Sequence, residues 1–86
     1  MRITFSLHAL QRLAEREIRK EVALNALENP DKVEMSSQNQ RRLLFKKLYY
    51  NQTFKRDHLL MLICEKKDDR LEIVTIIDTS KISKYL

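Results

Sequence analysis

"HLLMLICEKKDDRLEIVTIID", residues 58–78, decides the fold. "HLLMLICEK" (58–66) and "RLEIVTIID" (70–78) are apolar runs, the second dense in β-branched residues, so both read as strands. The charged "KKDDR" between them reads as a tight turn. Working outward, "RRLLFKKLYY" (41–50) is long, apolar and aromatic and reads as a further strand, joined through the looser "NQTFKRD". "KVEM" (32–35) is a short strand candidate. Two helical stretches precede these strands. The expected class is therefore α+β, with two N-terminal helices packed on one face of an antiparallel sheet of three to four strands.

The helical stretches are short and bounded. Ser6 is an N-cap candidate for a helix reaching about Arg16, with Leu7, Leu10, Leu13 and Ala14 on one apolar face. A second helix, near Lys20 to Glu28, offers Val22, Ala23, Ala26 and Leu27 for burial. Asn29 and Pro30 end it. The chain contains no glycine. Asn29, Asn51, Asp68 and Asp69 are therefore the expected residues for left-handed turns.

Eighty-six residues make a single domain, residues 1–86. A chain this short buries roughly 60–65% of its unfolded surface, so the core is thin. It is 43% hydrophobic and 34% charged, a globular composition. No run approaches the length of a transmembrane span, and no apolar signal-peptide core follows Arg2. The lone Cys64 cannot form an internal disulfide and sits in an apolar run, where a buried structural role is expected. These features predict a cytoplasmic protein.

The net charge is +5 and the pI near 9.6. From Met35 to Arg56 there is no acid, while Arg41, Arg42, Lys46, Lys47, Lys55 and Arg56 contribute six positive charges. Lys81 and Lys84 extend the excess near the C-terminus. Residues 15–34 instead carry six acids against four bases. A basic side favours a polyanion such as RNA through counterion release. It serves equally as a solubilising surface.

"FSLHALQRLAEREI" (5–18) carries the sharper chemical signal. On a helix His8, Arg12, Glu15 and Arg16 share one polar face, opposite Leu10, Leu13 and Ala14. Such a face is either solvated or chemical. Chemically, an imidazole beside two guanidinium groups can move a proton and hold a phosphate, which is what metal-independent RNA cleavage requires. His8 and His58 lack partners at ligand spacing, so neither a metal site nor any cofactor is expected. Tyr49 and Tyr50 alternate across their strand: one ring should enter the core and one should be exposed beside Lys47 and Arg41, as a base-stacking platform would be.

Two motifs carry a resemblance. S-x-H-A-x-x-R-x-x-x-R near the N-terminus and V-T-x-x-x-T-S-K-x-x-K-Y at the C-terminus, with "ALENPDKV" and "RRLLFKK" between them, resemble the prokaryotic family catalogued as domain of unknown function 4258. Its members are taken to be similar to RelE-type toxins and the barnase/colicin-like RNase fold. That resemblance implies a curved RelE-like sheet. It also implies a small metal-independent endoribonuclease that cleaves messenger RNA, free or on the ribosome, and is neutralised by a cognate antitoxin protein. It nominates His8 as general base or acid, with Arg12, Arg16 and Lys81 as phosphate ligands. Tyr85 becomes a second proton-transfer or stacking group. Thr75, Ser80, Lys84, Arg41, Arg42, Lys46, Lys47 and Tyr50 are the further RNA-contact candidates. One site would form if the C-terminal tail folded back over the first helix. Glu17 departs from the family's usual glycine, so the first helix is expected to end differently. The alternatives are a non-catalytic RNA- or ribosome-binding module of the same fold, and a protein-interaction domain.

Overall fold

The expected hairpin forms the centre of the molecule. The computed structural model describes residues 2–86. In chain order the elements are β1 (Arg2–Phe5), α1 (Leu7–Glu15), α2 (Lys20–Glu28), β2 (Lys32–Met35), β3 (Arg42–Asn51), β4 (Arg56–Lys67), β5 (Arg70–Thr79) and α3 (Ile82–Tyr85). One sheet runs β1-β5-β4-β3-β2. The three pairs from β2 to β5 are antiparallel, whereas β1 lies parallel to β5.

This corrects the expected architecture. The α+β class stands, but the sheet is mixed and five-stranded, and a third short helix follows it. "RITF" reads only as an extended entry because four residues show no useful alternation. Its partner lies at the far end of the chain: Arg2 pairs with Arg70 and Phe5 with Ile73. Local sequence patterns do not report a pairing of that separation. A parallel neighbour needs a crossover, and α1 and α2 carry the chain from one edge of the sheet to the other.

Alternation assigns the two faces. Leu43, Phe45 and Tyr49 of β3 and Leu60, Leu62 and Cys64 of β4 pack with Leu71, Ile73 and Ile76 of β5. Ala9, Leu13, Ala23 and Ala26 close over them from the helices. Small alanines at the contact let both helices approach the sheet closely. Full burial of Leu60 or Leu62 contributes on the order of 2 kcal/mol each.

Helix α1 is rotated from the expected stripe. Ala9 and Leu13 are buried, Leu10 is half-buried, and Leu7 and Ala14 are exposed. The cause is its start. The Ser6 hydroxyl accepts from the Ala9 amide at 3.0 Å and donates to the Val74 carbonyl at 2.6 Å. The register of β4 against β5 slips here, with Cys64 facing Ile73 and Ile63 facing Thr75. One hydroxyl thus caps the helix and ties it to a bulge.

The end of α1 is also corrected. Glu17 takes φ 55°, its amide bonds the Ala14 carbonyl at 3.2 Å, and the Ile18 amide bonds the Leu13 carbonyl at 2.9 Å. That is a Schellman turn with glutamate in the left-handed position, so the helix ends as glycine would end it. The other left-handed residues are Lys55 and Asp68. Of the four candidates for that role, only Asp68 fills it.

Candidate functional site

The tail does not fold over α1. Lys46 lies on the sheet face opposite Tyr49, and its ammonium donates to the Tyr85 carbonyl and meets Glu34 Oε1 at 2.7 Å. Lys32 donates to the Leu86 carbonyl at 3.1 Å. Helix α3 therefore sits on the face away from α1 and α2. The structure separates Lys81, Lys84 and Tyr85 from His8, Arg12 and Arg16 by the thickness of the sheet. Thr75 pairs with Ile63 on the α3 side, and Ser80 is exposed beyond β5.

The basic strand is largely neutralised. Arg42 pairs with Glu65 at 3.3 Å, Lys47 with Asp31 at 3.7 Å, and Lys46 is buried between its two partners. The bond from Lys46 is the leading reason the Glu34 carboxyl is held below its ordinary range. Arg41 remains exposed. Burial alone pushes the Cys64 thiol up to about 12, so it is inert at neutral pH.

Unpaired cations gather elsewhere. Among the described residues Arg16, Arg19, Lys55 and Arg56 form no ion pair, and all are exposed. Arg19 borders a cleft of about 480 Å³ between the α1–α2 corner and the β3–β4 hairpin, with Ile18, Tyr50, Asn51 and Gln52 among its other walls. Arg56 faces Asn51 across that hairpin. Arg16 is exposed at the end of α1. Arg12, one turn earlier, is half-buried; its Nε has no hydrogen-bond partner, and its terminal nitrogen is 4.0 Å from Glu15. His8 is exposed and makes no side-chain hydrogen bond or ion pair among the described residues. Tyr50 is 52% exposed, while Tyr49 packs inward.

Behind this cleft lies a buried polar cluster. His58 Nδ1 is 3.1 Å from both oxygens of Asp78. The Tyr49 hydroxyl donates to Asp78 Oδ1 at 2.7 Å, and Asn51 Nδ2 donates to the Tyr49 oxygen at 2.9 Å. Asn51 Oδ1 accepts from the Phe54 amide at 3.0 Å, fixing the hairpin turn. The Phe54 ring stacks on His58 at 5.2 Å. Burial, then the bond to Asp78, raises the Tyr49 hydroxyl above its ordinary range, so it remains a donor at neutral pH. His58 Nε2 is buried and has no partner.

A family model described as "Domain of unknown function (DUF4258)" matches residues 5–81. The chain belongs to this family. Comparison with curated proteins and with solved structures finds no match. The family's two motifs meet where the Ser6 hydroxyl bonds the Val74 carbonyl, while the tail of the second, in α3, lies on the face away from α1. The cluster behind the cleft draws on neither helix-one histidine nor tail.

Sequence reasoning considered His58 only as a metal ligand, took Asn51 only for a left-handed turn and passed over Asp78. The usable signal was parity. Tyr49 and Asn51 alternate onto the core face of β3, and His58 sits opposite Tyr49. Asp78 faces Leu60 on the same side. Four polar groups on the core side at one sheet end must satisfy one another. No helix among the described residues is long and apolar enough to cross a membrane.

Proposed function

We propose that this chain binds and cleaves RNA as a small endoribonuclease whose charge stabilisation comes from arginines. The carrying observation is that Arg16 and Arg19, both unpaired and exposed, flank the α1–α2 corner where Arg19 borders the cleft, with Arg12 one turn back on α1. Guanidinium groups grip phosphate oxygens through paired donors and neutralise the charge that grows there during 2′-oxygen attack. Tyr50 offers an exposed ring for a base, and Arg19, Lys55 and Arg56 extend the positive rim. His8 is the proton-transfer group that the family resemblance nominates, one turn ahead of Arg12. The same resemblance supports a messenger-RNA-cleaving toxin, held inactive by an antitoxin that covers the basic end.

A second reading is a non-catalytic RNA- or ribosome-binding module. One observation favours it: His8 has no neighbour to orient it, and the tail motif that would complete a site lies across the sheet.

The test is messenger-RNA integrity in a translating extract, which supplies both free RNA and ribosomes. Wild-type protein should cleave, and Arg12→Ala or Arg16→Ala should slow cleavage by at least roughly a hundredfold. Intact RNA with protein that still binds it gives the module reading. Equal cleavage by wild type and both arginine variants removes the proposed site.

A further inference from the structure

We propose that His58, held by Asp78, is the general base of RNA cleavage, taking the 2′-hydroxyl proton on Nε2. This rests on the RNA-cleavage reading above and assigns a proton acceptor that the family motifs do not contain.

The hydrogen-bond roles around Asp78 fix where His58 carries its proton. An ionised carboxylate only accepts, and Asp78 already accepts from the Tyr49 hydroxyl. For Nδ1 to bond both Asp78 oxygens at 3.1 Å it must carry a proton. Asn51 Nδ2, 3.5 Å from Nδ1, is itself a donor and leaves that role unchanged. The neutral imidazole then presents a bare lone pair on Nε2, which has no protein partner although the side chain is only 5% exposed. A buried acceptor without a donor is costly, roughly 1–3 kcal/mol. Of the four buried side-chain polar atoms without a protein partner among the described residues, His58 Nε2 is the one on an imidazole. A carboxylate that fixes the tautomer and leaves the second nitrogen free is the arrangement of a proton acceptor.

Access points the same way. The Phe54 ring, 58% exposed, stacks on one face of the imidazole. It sits in a turn whose next residue, Lys55, is left-handed. A nucleobase can take over that stacking when the ring swings out. Tyr49 and Asn51 line the cleft and also bond within the Asp78 cluster, so RNA seated in the cleft borders the cluster that holds the imidazole.

The step balances without a co-reactant. Nε2 removes the 2′-hydroxyl proton as the 2′-oxygen forms its bond to phosphorus. The bond from phosphorus to the 5′-oxygen breaks, and that oxygen takes a proton from water. The products are a 2′,3′-cyclic phosphate and a free 5′-hydroxyl, and the imidazolium returns its proton to solvent.

The experiment compares wild type, His58→Gln and His58→Ala in the translating extract, with thermal melting to verify folding. Binding of a fully 2′-O-methylated RNA is followed by fluorescence anisotropy. His58→Gln should cleave at least roughly a hundredfold more slowly, the usual size of a lost acid–base group, while binding the methylated RNA within about twofold of wild type. Free imidazole should restore part of the activity of His58→Ala, a result that a structural role would not produce. If glutamine is not accommodated, the imidazole rescue decides the matter. Wild-type cleavage matched by His58→Gln, or products lacking the cyclic phosphate, overturns His58 as the base and leaves the ribonuclease reading in place. RNA left intact by wild type overturns both.

Discussion

The molecule buries polar groups twice, once on each face of its sheet, and resolves them differently. On the α3 side Lys46 is closed: its ammonium has Glu34 and the Tyr85 carbonyl, and its aliphatic stem fills the space below the tail. On the helix side the Tyr49–Asn51–His58–Asp78 cluster satisfies all its inward groups but leaves His58 Nε2 open. The closed lysine acts as a fastening, whereas the open acceptor is the feature on which the proposed chemistry rests. Charge count alone does not separate the two, because Lys46 belongs to the most basic stretch of the sequence yet is the least available cation within it.

The largest expected effect lies in the open cluster. Asp78→Ala strips the shared acceptor from His58 and Tyr49 together. Urea unfolding should show a loss of about 3 kcal/mol, the scale of removing one partner from a buried polar network. A loss under about 1 kcal/mol would mean that the cluster is solvated and that its open nitrogen is no anomaly. Lys46→Ala should cost less, about 2 kcal/mol from the lost stem packing and the bond to Tyr85. It should also release α3, read as faster amide exchange confined to residues 82–86. Release of the hairpin turn instead would erase the distinction between the faces.

Acid and alkali should separate the two regions. The Glu34 carboxyl is held low, so its contribution is present above the ordinary carboxylate range and is lost as pH falls through the folded value. Tyr49 and Cys64 are raised, so their contribution is present below their ordinary values and is lost as pH rises. Acidification should therefore loosen the tail first. Alkali should instead expose Tyr49, seen as phenolate absorbance that appears only together with unfolding. Early, reversible ionisation of Tyr49 would contradict its burial.

Much of this was legible in the sequence and some could not be. The three long strands and α2 were readable because each exceeds the length at which apolar runs and helical spacing become unambiguous. Strand β1 was not, because a parallel edge strand is defined by its partner at residues 70–73 and not by its own four residues. The polar face of α1 was half legible. His8 is exposed as expected, but anchoring of Ser6 to the β5 bulge turns Arg12 toward the sheet. The basic stripe at 41–47 was misleading, since its neutralising acids come from β2, β4 and the loop before β2. The cluster escaped because its members lie on three strands and meet only when register is known.

The smallest effect tests how the two faces are kept distinct. Glu17 holds φ 55° at the end of α1, a conformation that costs a residue with a Cβ about 1 kcal/mol relative to glycine. The turn is retained because Ile18 is thereby delivered to the core beside Leu13, and Arg16 is left exposed at the corner. Glu17→Gly keeps both amide bonds and removes the strain. It should raise stability by roughly 0.5–1 kcal/mol in thermal or urea unfolding, less whatever the freer unfolded chain takes back. RNA cleavage should not fall, since Glu17 is a wall of the cleft that supplies no donor, and its loss removes a negative charge there. A destabilised Glu17→Gly would mean that the glutamate side chain itself closes the corner. The position of Arg16 would then depend on that side chain and not on the backbone turn.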